Sequence, residues 1–352
     1  MKKFTGVIFA ICSVLTFASC ASAVTANRLT NSGTDRWPGW VLDPYTKYDR
    51  QENVARVGSG SSREAAEKNA LGNLVAVFGQ RIAVDERVST SYQQAVRNGV
   101  IANWSEDTDV DNIISTSTGM DSLVGAEIGE VWDDGKEYYA VAVLNKAKAI
   151  QIYSGIVKAN QTTINNLVGI TEGEKNSLEG FARYQFAAII ADITIPYLNL
   201  LSVIGGPSPL EGFKSGDDYR LEVLSITKAI PVGLRVRNDK SGRIEGAFAK
   251  AISDLGFQIG GNNSRYMLDV NIVTSAVEIT NNPYKWTRIE LNANLIDTYP
   301  ATVMLPYNFN DREGHTSQSE ADNRAYMAAE RKINEEYAKR LSDYLSGLTP
   351  KK

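Results

Sequence analysis

The stretch Val54 to Phe78, VARVGSGSSREAAEKNALGNLVAVF, constrains the fold more than any other part of the chain. It reads as a short strand, a Gly-Ser turn and an amphipathic helix, in that order. Val54 and Val57 belong to the strand, and Gly58 and Gly60 allow a tight reversal that bulkier residues resist. Ser61 and Glu64 fit a capping box, which would satisfy two orphan N–H groups at the helix start. Ala66, Ala70, Leu74 and Phe78 then recur every four residues, and Leu71 and Val75 widen the apolar stripe. Arg63, Glu64, Glu67 and Lys68 keep the other face in water. The unit is a β-α module, and it states no reaction.

The N-terminus carries an address. Lys2 and Lys3 precede an apolar run from Phe4 to Ala18, the n-region and h-region of a secretory signal. Two cleavage readings compete. Phe17-Ala18-Ser19-Cys20 resembles a relaxed bacterial lipobox, in which Cys20 is lipidated and becomes the mature N-terminus; Ala21-Ser22-Ala23 resembles an ordinary signal peptidase site. The two cysteines favour the first: Cys12 lies inside the h-region and Cys20 stands where a lipobox needs one, so the mature chain has no internal disulfide to form. A lipid anchor at Cys20 would hold the protein at a membrane with no spanning helix. Ala21 after the cysteine is compatible with outer-membrane sorting, and the alternative is a free periplasmic protein.

A formal net charge of −4 and a pI near 5.4 argue against nucleic acid, which needs a concentrated basic footprint. With 352 residues the chain is long enough for two domains with separate cores. The expected fold class is α/β of the α+β kind: an N-terminal β-α-β-β domain, a central helical hairpin, and a second C-terminal α/β domain with an antiparallel sheet. The divisions are a signal peptide over 1–19, a tether over 20–36, the first domain over 37–144, the hairpin over 145–206 and the last domain over 218–348.

Within that plan, Trp37-Pro38-Gly39-Trp40-Val41 holds a turn signal and two tryptophans that fold over an edge of the first core. A second strand begins in 82–96, and 98–120 reads as a long polar loop. The clearest hairpin joins LVGAEIGEVW and EYYAVAVL across Asp133-Asp134-Gly135-Lys136. Ala147, Ile150, Ile152, Ile156 and Val157 mark one helix, and Leu178 to Ile204 marks another, with Thr171-Glu172-Gly173 between them. Phe186 to Ile204 raises a transmembrane question, which Asp192, Pro196 and Asn199 answer in favour of a packed hairpin. Gly205-Gly206-Pro207-Ser208-Pro209 is a boundary. Beyond it, Tyr219–Ile226, Leu234–Val236, Tyr266–Ile279, Trp286–Asp297 and Val303–Phe309 read as strands. Ser241–Leu255 and Ser319–Leu345 read as helices, with Gly256 as a stop.

Catalytic signals are sparse. His315, the single histidine, excludes a multi-histidine metal site and leaves one imidazole for a hydrolytic arrangement that no nucleophile elbow supports. Glu106-Asp107-Thr108-Asp109-Val110-Asp111 resembles a calcium loop, but Asn112 and Thr118 stand where an EF-hand needs Gly and Glu. Gly58-Ser59-Gly60 before a helix invites a phosphate cradle with Arg63 as anion partner, yet neither a dinucleotide nor a P-loop signature follows. No catalytic residue, metal site or cofactor is expected. Trp37, Trp40, Trp132 and Tyr138 are the candidate stacking surfaces for a small aromatic ligand, against a packing role for the same side chains.

WPGWV, VARVGSGSSREAAEKNALGNLVAVFGQRI and EIGEVWDDGKEYYAVAVL together resemble the LPP-twenty lipoprotein family of bacterial envelope proteins, over roughly residues 37–150. The likeness is carried by Gly58, Gly60, Ser62, Ala65-Ala66 and the Tyr138-Tyr139 strand. It implies a β-α-β-β unit similar to dodecin and to the N-terminal domain of certain flagellar assembly proteins, and it implies no reaction. Members include antigenic surface lipoproteins and flagellum-associated ones. The expected role is therefore non-enzymatic: a lipid-anchored docking module whose partners are the membrane, through Cys20, and envelope or flagellar proteins. The alternatives are a binding module for a small aromatic ligand and, third, a hydrolase.

Overall fold

In the computed structural model, residues 37–78, 123–207 and 212–348 are described. The segments expected as signal peptide and tether, with Cys20, the strand expected in 82–96 and the acidic stretch of 106–111 lie outside them. The fold is α+β, with a three-stranded and a five-stranded sheet among the described residues.

The first sheet is antiparallel in the order β1-β3-β2, with β1 at Asn53–Gly60, β2 at Ala126–Asp133 and β3 at Tyr138–Asn145. The Asp-Gly hairpin closes as the sequence predicts, with Asp133 opposite Tyr138 and Gly135 at φ +85°. Helix α1, Arg63–Ala76, packs on one face through Ala66, Ala70, Leu74 and Val75. Two expectations about its start change. Gly58 and Gly60 do not reverse the chain; both lie inside β1. A Cβ on Gly58 would stand 2.1 Å from the Ala70 backbone nitrogen, and one on Gly60 would stand 2.7 Å from that of Ala66. The glycines are there because the helix backbone lies directly on the strand. The cap is also one residue later: Ser62 Oγ accepts from Ala65 N at 3.2 Å, which puts Ala65 where a capping box would need Glu.

Helices α2 (Lys146–Val168) and α3 (Leu178–Val203) form the expected hairpin. Thr171 and Glu174 build a capping box at the short turn of helix between them. By length and composition α3 resembles a membrane span. Nevertheless, it is wrapped by protein. Phe186, Ile190, Ile193, Tyr197 and Leu201 belong to the core of the first sheet, while Leu178 and Phe181 belong to the core of the second. Two polar groups buried on this hairpin meet each other, Asn160 Nδ2 donating to Thr194 Oγ1 at 2.9 Å.

Residues 219–226, expected as a strand, lie in helix α4, Gly216–Ala229. The reason is visible in the burial: Tyr219, Val223, Ile226 and Thr227 recur at helical spacing and face inward, whereas Leu221 and Leu224 are exposed. Ser215 and Asp218 form a capping box that fixes the start.

The second sheet runs β5-β4-β6-β7-β8. Its strands are β4 (Val232–Arg237), β5 (Ile259–Gly260), β6 (Tyr266–Val277), β7 (Lys285–Asp297) and β8 (Thr302–His315). Helix α5, Arg243–Asp254, connects parallel β4 to β5 and β6, and the long β6-β7-β8 meander is antiparallel. β8 extends beyond the expected Phe309 to His315. The last helical segment is α6 (Gln318–Lys332), a π-turn over Ile333–Tyr337 and α7 (Ala338–Ser346). The π-turn leaves both Ile333 and Tyr337 fully buried.

Candidate functional site

The first sheet has two different faces. Val54, Ala140, Ala142 and Leu144 face α1 and the helical hairpin; Ala55, Val141 and Val143 face the segment that enters from Trp37. That segment makes a short helical turn at Gly39–Leu42 and a tighter one at Pro44–Thr46, started by Asp43 accepting from Tyr45 N at 3.0 Å. Trp40 and Val41 are buried on the sheet, so Trp40 is a packing residue and not a stacking surface.

A β-bulge between Ile128 and Glu130 shifts the phase of β2. Ile128 before it and Val131 after it both pack on the first core, and Trp132 turns to the other face. Gly129 leaves space for the Tyr48 hydroxyl, since a Cβ there would stand 2.3 Å from that oxygen. Burial on this face pushes the Tyr48 hydroxyl above its ordinary pKa. Lys47 pairs with Glu130 beside the bulge. The Arg50 guanidinium lies 4.3 Å from the Tyr45 ring centre, and Arg56 donates to the Tyr45 hydroxyl at 3.1 Å.

These contacts gather Trp37, Trp132 and Tyr139 at one end of the face. Trp37 and Trp132 have ring centres 5.1 Å apart, Trp37 and Tyr139 4.9 Å, and Trp132 and Tyr139 5.6 Å. Trp37 is 41% exposed. Desolvation raises the pKa of Tyr139, helped by the carboxylates of Glu137 and Asp134. Of the candidate stacking residues, the structure therefore joins Trp37 with Trp132 ring to ring, buries Trp40 in the small core of the same face, and puts Tyr138 on the other face. Tyr138 packs toward the first core. Tyr139 takes its place, and the signal for it was present: once Asp133 pairs with Tyr138, Trp132 must lie opposite Tyr139.

The other candidates are not brought together. Gly58 and Gly60 are covered by α1, leaving no cradle between strand and helix, and Arg63 pairs with Glu67 at 2.8 Å. His315 ends β8 opposite Lys285. Its Nδ1 lies 3.4 Å from both Thr316 Oγ1 and Ser317 N, with no carboxylate on the ring among the described residues.

No family model and no curated protein matches the chain. Among solved structures it is similar to the secreted protein HP1454 from Helicobacter pylori, at 13% identity over 81% of this chain and 98% of that one, with a TM-score of 0.36. It is also similar to a minor lipoprotein from Acinetobacter baumannii, at 13% identity over 34% of this chain and 93% of that one, with a TM-score of 0.25. At these TM-scores neither likeness assigns an activity or a partner.

Proposed function

We propose that the chain is a non-enzymatic, lipid-anchored protein of the bacterial cell envelope, similar to the LPP-twenty lipoproteins, that docks other proteins in surface or flagellar assembly. The observation that carries the docking role is the Trp37-Trp132-Tyr139 cluster. Partly exposed tryptophans and tyrosines are the side chains that dominate protein interfaces, because they bury much apolar area at small entropic cost. Trp37 also follows the tether directly in sequence, so an anchor at Cys20 would keep the cluster near other envelope components. The three rings pack on one another, which favours a flat protein contact over a slot for one aromatic ligand.

Affinity capture from gently solubilised membranes tests the proposal. Envelope or flagellar proteins should be recovered with the wild-type chain and lost with Trp37→Ala combined with Trp132→Ala, while circular dichroism stays unchanged. Recovery of the same proteins by the double variant would refute the aromatic face as the docking site.

A further inference from the structure

The second sheet leaves one face without a helix on it among the described residues. Core side chains of β6, β7 and β8, among them Val270, Ile272, Leu291, Ala293 and Tyr307, lie on the helix side, and on the other face Met267 is buried at the start of β6. Alternation along the strands places the intervening residues on the opposite face, and the register aligns them in rows. One row is Arg237, Asn271, Asn292 and Asn308; the next toward the β7 start holds Val273, Glu290 and Asn310; then come Ser275, Arg288 and Arg312; the last is Val277, Trp286 and Gly314.

Three features of this face are unexpected for a merely solvated sheet. Asparagine is a poor strand residue, yet it fills the centre of three adjacent strands, with neighbours about 4.8 Å apart. Its amide offers donors and an acceptor without charge. Secondly, Arg288 and Arg312 are directly opposite each other and exposed, a like-charge pairing that destabilises a sheet, and neither makes an ion pair with a described residue. Thirdly, the half-buried Trp286 lies flat on the neighbouring strand: a Cβ on Gly314 would stand 2.9 Å from its Cδ2 and Cε2. Only Arg237 of these cations is neutralised by a described residue, Asp269 at 3.1 Å.

We infer that this face binds an acidic glycan. Sugar rings stack on Trp286, uncharged hydroxyls exchange hydrogen bonds with Asn292, Asn308 and Asn310, and a sugar carboxylate sits between Arg288 and Arg312, where it relieves their repulsion. The inference stands apart from the docking proposal, which concerns the other sheet.

Calorimetric titration of the full-length protein with an oligogalacturonate, and separately with its carboxyl-reduced form, is the test. The acidic form should bind saturably, and carboxyl reduction should weaken binding about tenfold, the loss of one charge-assisted contact. Arg288→Ala with Arg312→Ala should abolish that difference, and Asn292→Ala with Asn308→Ala should weaken both forms. All four positions are on the open face, so the thermal midpoint reports that folding is intact. Absence of saturable binding by either form, full binding by both double variants, or equal binding of polyglutamate would overturn the inference.

Discussion

The backbone nitrogen of Ala70 lies 2.1 Å from where a Cβ on Gly58 would be, so helix α1 and strand β1 touch backbone to backbone. A side chain at this point cannot be accommodated by rotating a neighbour, because the obstacle is main chain. Gly58→Ala should therefore cost about 1–3 kcal/mol or more, as overpacking of a core does. Gly72, on the exposed side of the same helix, meets nothing within 4 Å. Gly72→Ala should stabilise by about 1 kcal/mol. Urea midpoints of the two variants should move in opposite directions.

Thr194 Oγ1 accepts from Asn160 and donates to the Ile190 carbonyl at 2.6 Å, inside the helical hairpin. Thr194→Val keeps the shape and removes the acceptor. The expected loss is about 0.5–1.5 kcal/mol, the net worth of one intramolecular hydrogen bond. Equilibrium unfolding in urea measures it; an unchanged midpoint would show that Asn160 is satisfied without Thr194.

Tyr266 ties α3 to the second sheet, because its phenolic oxygen accepts a hydrogen bond from Leu178 N at 3.2 Å. Burial pushes the Tyr266 hydroxyl up to about 12 from 10.0, and burial does the same to Tyr307. Stability from these neutral phenols is fully present below pH 10 and is lost as pH rises from there toward about 12, because the unfolded chain ionises first. Unfolding midpoints across the alkaline range should fall. Tyr266→Phe should cost about 1 kcal/mol at neutral pH and make that fall shallower.

Cys20→Ser tests the anchor on which the proposed function rests. The acyl chains of a lipoprotein bind at about 0.8 kcal/mol per buried CH₂, so their loss should move the protein from the membrane to the soluble fraction, still folded. Cleavage is then expected to shift to follow Ala23. Metabolic labelling with a fatty-acid analogue should mark the wild type alone; an unlabelled wild-type chain starting at Val24 would sink the anchor.

The β-α module, the Asp-Gly hairpin, the helical hairpin and most strands of the second sheet were legible in the sequence, because each is set by local spacing: four-residue recurrence, two-residue alternation, or a turn residue in place. Residues 219–226 misled because Tyr219, Leu221 and Val223 alternate like a strand. Only packing against α3 shows which of the apolar residues are inside. The glycines of β1 were read as a turn because sequence shows that a residue is small, and not what lies against it. The same limit held for the aromatic face. Trp37 and Trp132 are far apart along the chain, and the bulge at Gly129 decides which way Trp132 points. Sequence alone determined the local elements, since these are written in short runs of neighbours. The tertiary structure decided which side chains meet, because strand register and helix contact are set by residues distant along the chain.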